Sequence, residues 1–252
     1  MTLRSVDWPK IDRGGYPPFM WELFRNNAHP IDLDEKFHLF GRSNILNVTY
    51  WNFYFDQIEN LADGLIVECG VGRGRSLIIL LSLEEYYADL NSREKREVYG
   101  LDSFEGFPEP SSYDFSVRHP KKGEWSSSPS GKYRYSPEFL REVLLKSQVN
   151  FEKLHIISGF FAETLDLIPM APISLLHLDG DLYGSYKAPL LKLAMRVQVG
   201  GLIVLDDFLR EKGIEEDSFP GVRMAVEEFL SENDNFECLI SMRGTPYLRR
   251  NS

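Results

Sequence analysis

Four aspartates, Asp179, Asp181, Asp206 and Asp207, close two separate apolar runs, "ISLLHLDGD" and "GGLIVLDD". If those runs are neighbouring strands, their ends bring the carboxylates together. Two unit charges about 4 Å apart repel by roughly 4 kcal/mol at an effective dielectric of 20. A divalent cation removes that repulsion. An oxygen-only donor set with no Cys or His in the motif favours Mg2+, or else Mn2+ or Ca2+, over zinc. The competing reading has each aspartate cap the following element, with Asp179-Gly180 as a plain turn. Repetition on two independent runs favours the shared site.

A second stretch, "VECGVGRGRS", alternates Gly70, Gly72 and Gly74 between an apolar run and a helix-like one. Glycines let the backbone turn sharply and let a ligand approach where a Cβ would block it. A dinucleotide fingerprint needs a further glycine where Arg75 stands, and a phosphate loop needs a Lys-Ser/Thr pair that is missing. The turn therefore suits a cofactor with a nucleoside and an amino-acid tail. Asp102, at the end of "EVYGLD", is placed to accept from ribose hydroxyls. Glu68 and Gly70 sit at a matching strand end. Arg73 and Arg75 read as solvated helix-start residues, with Arg73 free to meet a carboxylate. His177 and His155 read as structural, and Cys69 as a small buried apolar residue.

The elements that position these groups follow from periodicity. Short apolar runs at 64–69, 97–102, 153–158, 173–179 and 201–207 alternate with helical patterns at 76–90, 136–147, 185–197 and 221–233. That alternation predicts a doubly wound, mostly parallel α/β sheet, with ligands beyond the carboxyl ends of its strands. "FECLIS" and "TPYLRR" predict a closing antiparallel pair. Residues 1–60 are expected to form an N-terminal helical cap and 103–136 a lid-like insertion, all within one domain. Seven aromatics between Phe104 and Tyr135 are too many for a plain linker.

The formal charge of −10 over 252 residues argues against nucleic-acid or anionic-membrane partners. No apolar run approaches the roughly 20 residues that span a bilayer, and no secretion signal is visible, so a cytoplasmic protein is expected. Two cysteines cannot make a disulfide framework. The aromatic N-terminal segment serves equally as a contact in a homo-oligomer or as an active-site wall.

"VECGVGRGRS", "YGLDSFEGFPEP", "SGFFAETL", "LHLDGDLYGSY" and "GGLIVLDDF" together resemble, in order, the signature stretches of the macrocin O-methyltransferase family. The likeness runs from about residue 64 to 230. It implies a Rossmann-like enzyme that uses S-adenosyl-L-methionine and Mg2+ to methylate a sugar hydroxyl of a small-molecule acceptor in a natural-product pathway. It further implies metal ligands at Asp179, Asp206 and Asp207, and a general base at Asp181. Cofactor contacts are implied at Glu68, Gly70, Val71, Gly72, Gly74 and Ser76 for the methionine end and at Asp102 with Ser103 for the ribose. Gly159 and Phe160, with Phe161, are implied on the adenine side, and Asp179 is shared with the metal. Gly72 stands where the family usually has a bulky residue. Tyr186 stands where Thr is common, a departure expected to bear on the acceptor pocket. The acidic cluster alone leaves a catechol-type methyltransferase open. An NAD-dependent oxidoreductase is disfavoured by Arg75 and by the lack of a spaced Tyr-Lys pair. A binding protein that kept the fold is disfavoured by the intact aspartates.

Overall fold

The computed structural model describes residues 42–61, 64–128, 131–208 and 219–252. Most of the expected N-terminal cap, residues 1–41, lies outside the described residues. What is described of it is helix α1 (Arg42–Ile58).

Seven strands form one sheet: β1 (Leu65–Cys69), β2 (Val98–Asp102), β3 (Leu154–Ser158), β4 (Ile173–Leu178), β5 (Val197–Leu205), β6 (Phe236–Ile240) and β7 (Pro246–Arg250). Their order is β3-β2-β1-β4-β5-β7-β6. The neighbours from β3 through to β5 pair in parallel, and β7 runs antiparallel to both β5 and β6. Sheet order reverses between β1 and β4, so the crevice above that pair is where such a sheet opens for a ligand.

Among the described residues the further helices are α2 (Arg75–Leu90), α3 (Pro137–Ser147), the single turn α4 (Phe161–Thr164), α5 (Tyr183–Leu193) and α6 (Pro220–Glu232). In α3 the Ser136 hydroxyl accepts from the Phe139 amide at 3.1 Å and Pro137 opens the helix, the cap its sequence predicts. Every residue of β1 and of β4 is buried, as continuous apolar runs covered on both faces must be. Alternation along β1 sends Leu65, Val67 and Cys69 into the core under α5 and α6, and Ile66 into the core under α1 and α2.

One boundary and one element differ from expectation. β5 begins at Val197 rather than 201, because its pairing with β4 is irregular where Gly200, at φ 83°, lets the chain kink and continue. The turn α4 has too few residues to show a helical period. The segment 103–136 folds back on itself: a 3-10 turn forms at Ser112–Asp114, and Ser127 bridges Arg134.

Candidate active site

The carboxyl ends of five strands are drawn level by hydrogen bonds just past their last residues. The Gly70 amide donates to Leu101 at 2.8 Å, Gly159 to Asp102 at 2.9 Å, Asp179 to Cys69 at 2.9 Å and Asp206 to Leu178 at 3.0 Å. A cavity of about 780 Å3 opens above them, within the usual range of small-molecule sites.

On its β1–β2 side the wall is largely backbone. Gly70, at φ 103°, permits the close approach of β4: a Cβ there would sit 1.7 Å from the Asp179 carbonyl oxygen. A Cβ on Gly72, at φ 53°, would meet nothing within 4 Å, so the absent side chain leaves open space in the cavity wall. The Gly72 amide donates to Asp102 Oδ2 and the Phe104 amide to Asp102 Oδ1, both at 2.7 Å, so the loop and the strand end share one carboxylate. Gly70, Val71, Gly72, Ser76, Asp102 and Ser103 all line this side, and Phe160 and Phe161 line it further along.

Three expected contacts fall outside the lining. Glu68 alternates to the α1 face of β1, where it is fully buried and paired with His177 at 3.0 Å; His177 in turn sits edge-on to Trp51. Gly74 is buried against Leu140, and Gly159 turns at the end of β3 against Thr164. These positions shape the cradle from beneath. Arg73 and Arg75 are exposed, as expected of helix-start residues, and both also line the cavity.

On the β4–β5 side the wall is charged. Carboxylate oxygens of Asp179, Asp181 and Asp207 lie within 4.8 Å of one another. Burial, then the neighbouring carboxylates, push the Asp179 carboxyl well above its usual range, Asp206 being its strongest repulsive neighbour. The same causes raise Asp181 to about 9, with Arg118 as an opposing charge. Asp207 is pushed up to about 6 by burial and by Asp206, although donors from the Asp181 amide and Tyr186 hydroxyl offset part of the rise. Asp206 lines the cavity but is outside the three-way convergence. Adjacent residues at a strand end project in different directions, so Asp207 enters the cluster and Asp206 flanks it. The convergence thus takes in Asp181, expected as the base, with Asp179 and Asp207, while Asp206 of the expected metal trio lines the same cavity beside them.

Asp181 reaches the cluster through an unusual backbone. Its φ is 59°, and the Leu182 amide donates to the Gly180 carbonyl at 2.6 Å across it, closing a three-residue turn. Its own amide donates to Asp207 Oδ2 at 2.9 Å. A left-handed non-glycine residue costs roughly 1–3 kcal/mol, and such strain collects where geometry serves a function. Tyr186 is fully buried beneath Asp207. Its hydroxyl lies 2.7 Å from the Leu178 carbonyl and 3.0 Å from Asp207 Oδ2, and accepts from the Asp207 amide at 3.2 Å. Tyr186 is not among the lining residues; it acts on the cavity from beneath by holding a cluster carboxylate.

The segment 103–136 is fastened over this side by Asp114. Its Oδ2 accepts from the amide and hydroxyl of Ser111 and its Oδ1 from the Tyr183 amide, each at 2.7 Å. Gly221 makes room: a Cβ there would lie 2.1 Å from that Oδ1. The bonds from Ser111 are local, but the one from Tyr183 that fastens the segment spans 69 residues and leaves no local pattern.

Residues 50–243 match the family model for macrocin O-methyltransferase (TylF). The chain belongs to that family. A tetracenomycin-glycoside 4'-O-methyltransferase of Streptomyces olivaceus is 34% identical over 155 residues, covering 59% of this chain and 55% of the relative. Demethyldecarbamoylnovobiocin O-methyltransferase of Streptomyces niveus is 29% identical over 192 residues, covering 74% of this chain and 66% of the relative. The chain thus spans between 55% and 66% of the length of the curated relatives it matches. Among solved structures, the calicheamicin methyltransferase CalS11 superposes with a TM-score of 0.66 at 21% identity, covering 99% of this chain and 96% of the other. The O-methyltransferase NovP gives 0.62 at 24%, covering 83% and 80%. These establish the Rossmann-like methyltransferase fold. No helix among the described residues is long and apolar enough to cross a membrane.

Proposed function

We propose that this chain is an S-adenosyl-L-methionine-dependent, Mg2+-assisted O-methyltransferase that acts on a sugar hydroxyl, with a vicinal diol of a deoxysugar as the natural acceptor. The observation that carries the reading is the convergence of Asp179, Asp181 and Asp207 beside a glycine-lined cradle at the switch point of the sheet. Family membership and the name of the Streptomyces olivaceus relative, which places its methyl group on a rhamnosyl glycoside, support the sugar acceptor.

The residues fit both absent groups. Gly72 leaves open space in the cavity wall, and Asp102 sits where ribose hydroxyls would donate. Carboxyls raised by burial and by one another, with Arg118 opposing the rise only in part at Asp181, are the condition a hard divalent ion relieves. Asp179 and Asp207 would hold that ion, with Asp206 adding charge from the flank. When bound, Mg2+ acidifies a hydroxyl and fixes its orientation, while the sulfonium supplies an electrophilic methyl group.

The chain's own part is then proton removal and positioning. A sugar hydroxyl is about as weak an acid as water, near 15.7, against roughly 3.9 for an unperturbed Asp. At 1.36 kcal/mol per unit the gap of about 12 units is roughly 16 kcal/mol; with Asp181 raised to about 9 it is still about 7 units, roughly 9 kcal/mol against full deprotonation by Asp181 alone. Asp181 therefore acts as a general base that takes the proton as the methyl group moves, and no free alkoxide forms. The strained turn at Asp181 keeps its carboxyl within 4.8 Å of the ion-holding oxygens, where that proton would lie. The segment 103–136 acts as the lid that excludes water, and the whole chain acts as one domain in the cytoplasm.

Methyl transfer from S-adenosyl-L-methionine to a panel of rhamnosides, nucleotide-linked deoxysugars and catechol tests the reading. Turnover of a sugar that stops in EDTA and returns with Mg2+ is expected. Turnover of catechol alone, or undiminished turnover in excess EDTA, sinks it.

A further inference from the structure

Trp125 is a large aromatic residue that lines the cavity yet stays 52% exposed. Its backbone is at φ 64°, a conformation that a bulky residue rarely adopts. The surroundings hold it there. The Phe107 amide donates to the Glu124 carbonyl at 3.0 Å and the Gly123 amide to the Phe107 carbonyl at 2.9 Å, a short ladder that ends at Trp125. Gly106, at φ 78°, lets the two strips meet: a Cβ there would lie 2.3 Å from the Glu124 carbonyl oxygen.

The ring itself is backed by a cation. The Arg118 guanidinium lies 4.3 Å from the Trp125 centroid, 5.1 Å from Phe219 and 5.4 Å from Phe107. It bonds Glu124 through Nη2 at 3.0 Å, whereas Nη1 is buried without a hydrogen-bond partner. The guanidinium thus faces three rings as well as Glu124, and Trp offers the best ring face for such a contact. Trp125 is thus a plate strained into place, half-exposed in the wall of the same cavity that the carboxylate cluster lines.

We propose that Trp125 is the platform on which the acceptor sugar rests its apolar C–H face, with Arg118 as the residue that positions the plate. This deepens the methyl-transfer reading and rests on it. A pyranose suits the wall because it presents hydroxyls from its edge to the Asp179–Asp181–Asp207 side and carbon-bound hydrogens from its face to the ring. A Trp ring offers that contact at little entropic cost, since it has only two side-chain torsions.

The test uses the full chain labelled with 5-fluorotryptophan, whose four tryptophans give four 19F resonances, Trp125 being assigned by its loss in Trp125→Phe. Methyl α-L-rhamnopyranoside is added with Mg2+ and S-adenosylhomocysteine. The Trp125 resonance is expected to shift saturably. Absence of a shift overturns the platform, as does a shift with catechol but not with the rhamnoside. In steady state, Trp125→Ala should raise the rhamnoside KM about tenfold with a much smaller change in kcat and none in the KM for S-adenosyl-L-methionine. Trp125→Phe should restore most of the loss. Arg118→Leu should raise the same KM by a smaller factor and broaden the Trp125 resonance. An unchanged KM in Trp125→Ala overturns the platform and leaves methyl transfer standing. Loss of all transfer by the wild type sinks the parent reading, while the 19F arm still reports sugar contact.

Discussion

Glu84 and the carboxylates at the ends of β4 and β5 are both acid taken out of water, and the chain treats them in opposite ways. Glu84 is 2% exposed and surrounded by donors: Arg93 at 2.5 Å, Arg96 at 3.1 Å and the Arg96 amide at 2.7 Å. Arg96 also caps the carbonyls of Ile58 and Leu61, so this network ties α1 to α2. Asp179, Asp181 and Asp207 meet chiefly one another, and the lone opposing charge felt at Asp181 is Arg118, held among aromatic rings. The contrast shows that internal neutralisation is available to this fold and is not used at the strand ends. A buried acid ringed by donors of the chain is architecture; the strand-end cluster, opposed among the described residues by Arg118 at Asp181, is a place for a cation.

The comparison breaks most sharply at Asp181. Asp181→Asn keeps the shape of the carboxyl and removes the base, so turnover should fall by about 10^2- to 10^4-fold. Binding of S-adenosylhomocysteine by calorimetry should stay near wild type. Asp181→Gly should be equally inactive yet raise the melting temperature, since glycine adopts φ 59° without the strain that aspartate bears. A melting temperature that falls in Asp181→Gly removes strain from the account.

At Glu84 the effect should be on stability alone. Glu84→Gln leaves Arg96 buried with its countercharge gone, a loss of about 3–5 kcal/mol. Urea unfolding should show that loss, while Mg2+ affinity of the folded protein stays unchanged. Equal effects of the two acidic regions on Mg2+ binding would erase the distinction between them.

The two regions were unequally legible. The strand-end aspartates stood out because each follows an apolar run, so sequence and sheet topology point to the same edge. The topology sets β4 beside β5, so both pairs of aspartates meet at that edge. What escaped was direction. Glu68 precedes the glycine turn by two residues and looks like a cradle residue, yet strand alternation sends it to the α1 face and His177. Asp206 and Asp207 are indistinguishable as letters, and only the turn of the backbone past Leu205 decides which enters the cluster. Asp114 and Trp125 lie in a segment without period, and their partners at Tyr183 and Phe219 are far off in the chain. No local pattern encodes such contacts.

Acidity should separate the regions further. The unfolded carboxyls titrate near 3.9, whereas the folded ones stand raised, Asp207 at about 6 and Asp181 at about 9. Between these values the folded state holds protons that the unfolded chain has released, so ion-free stability should fall as pH rises from about 4 through 6 toward 9. Mg2+ binds the deprotonated cluster, so its stabilising effect in thermal melts should grow over the same span. A Mg2+ effect that shrinks as pH rises would count against the cluster as its site.

The finest test lies beneath the cluster, at Tyr186. Its one hydroxyl proton serves either the Leu178 carbonyl at 2.7 Å or Asp207 Oδ2 at 3.0 Å, and its oxygen takes the Asp207 amide. Burial first, and then Asp207, drive the phenol well above its ordinary range, so it stays a donor at any working pH. Tyr186→Phe preserves the packed ring and removes the group that aims Asp207. Partners that orient metal-holding carboxylates are typically worth 10- to 100-fold in affinity. Because the Asp181 amide at 2.9 Å still holds the same oxygen, the lower end is expected, about tenfold weaker Mn2+ binding by electron paramagnetic resonance titration. Affinity for S-adenosylhomocysteine should not move, since Asp102 and the glycine turn lie on the other side of the crevice. Unchanged Mn2+ affinity in Tyr186→Phe would mean that the Asp181 amide alone orients Asp207, and the tyrosine would then belong with Glu84, to the architecture.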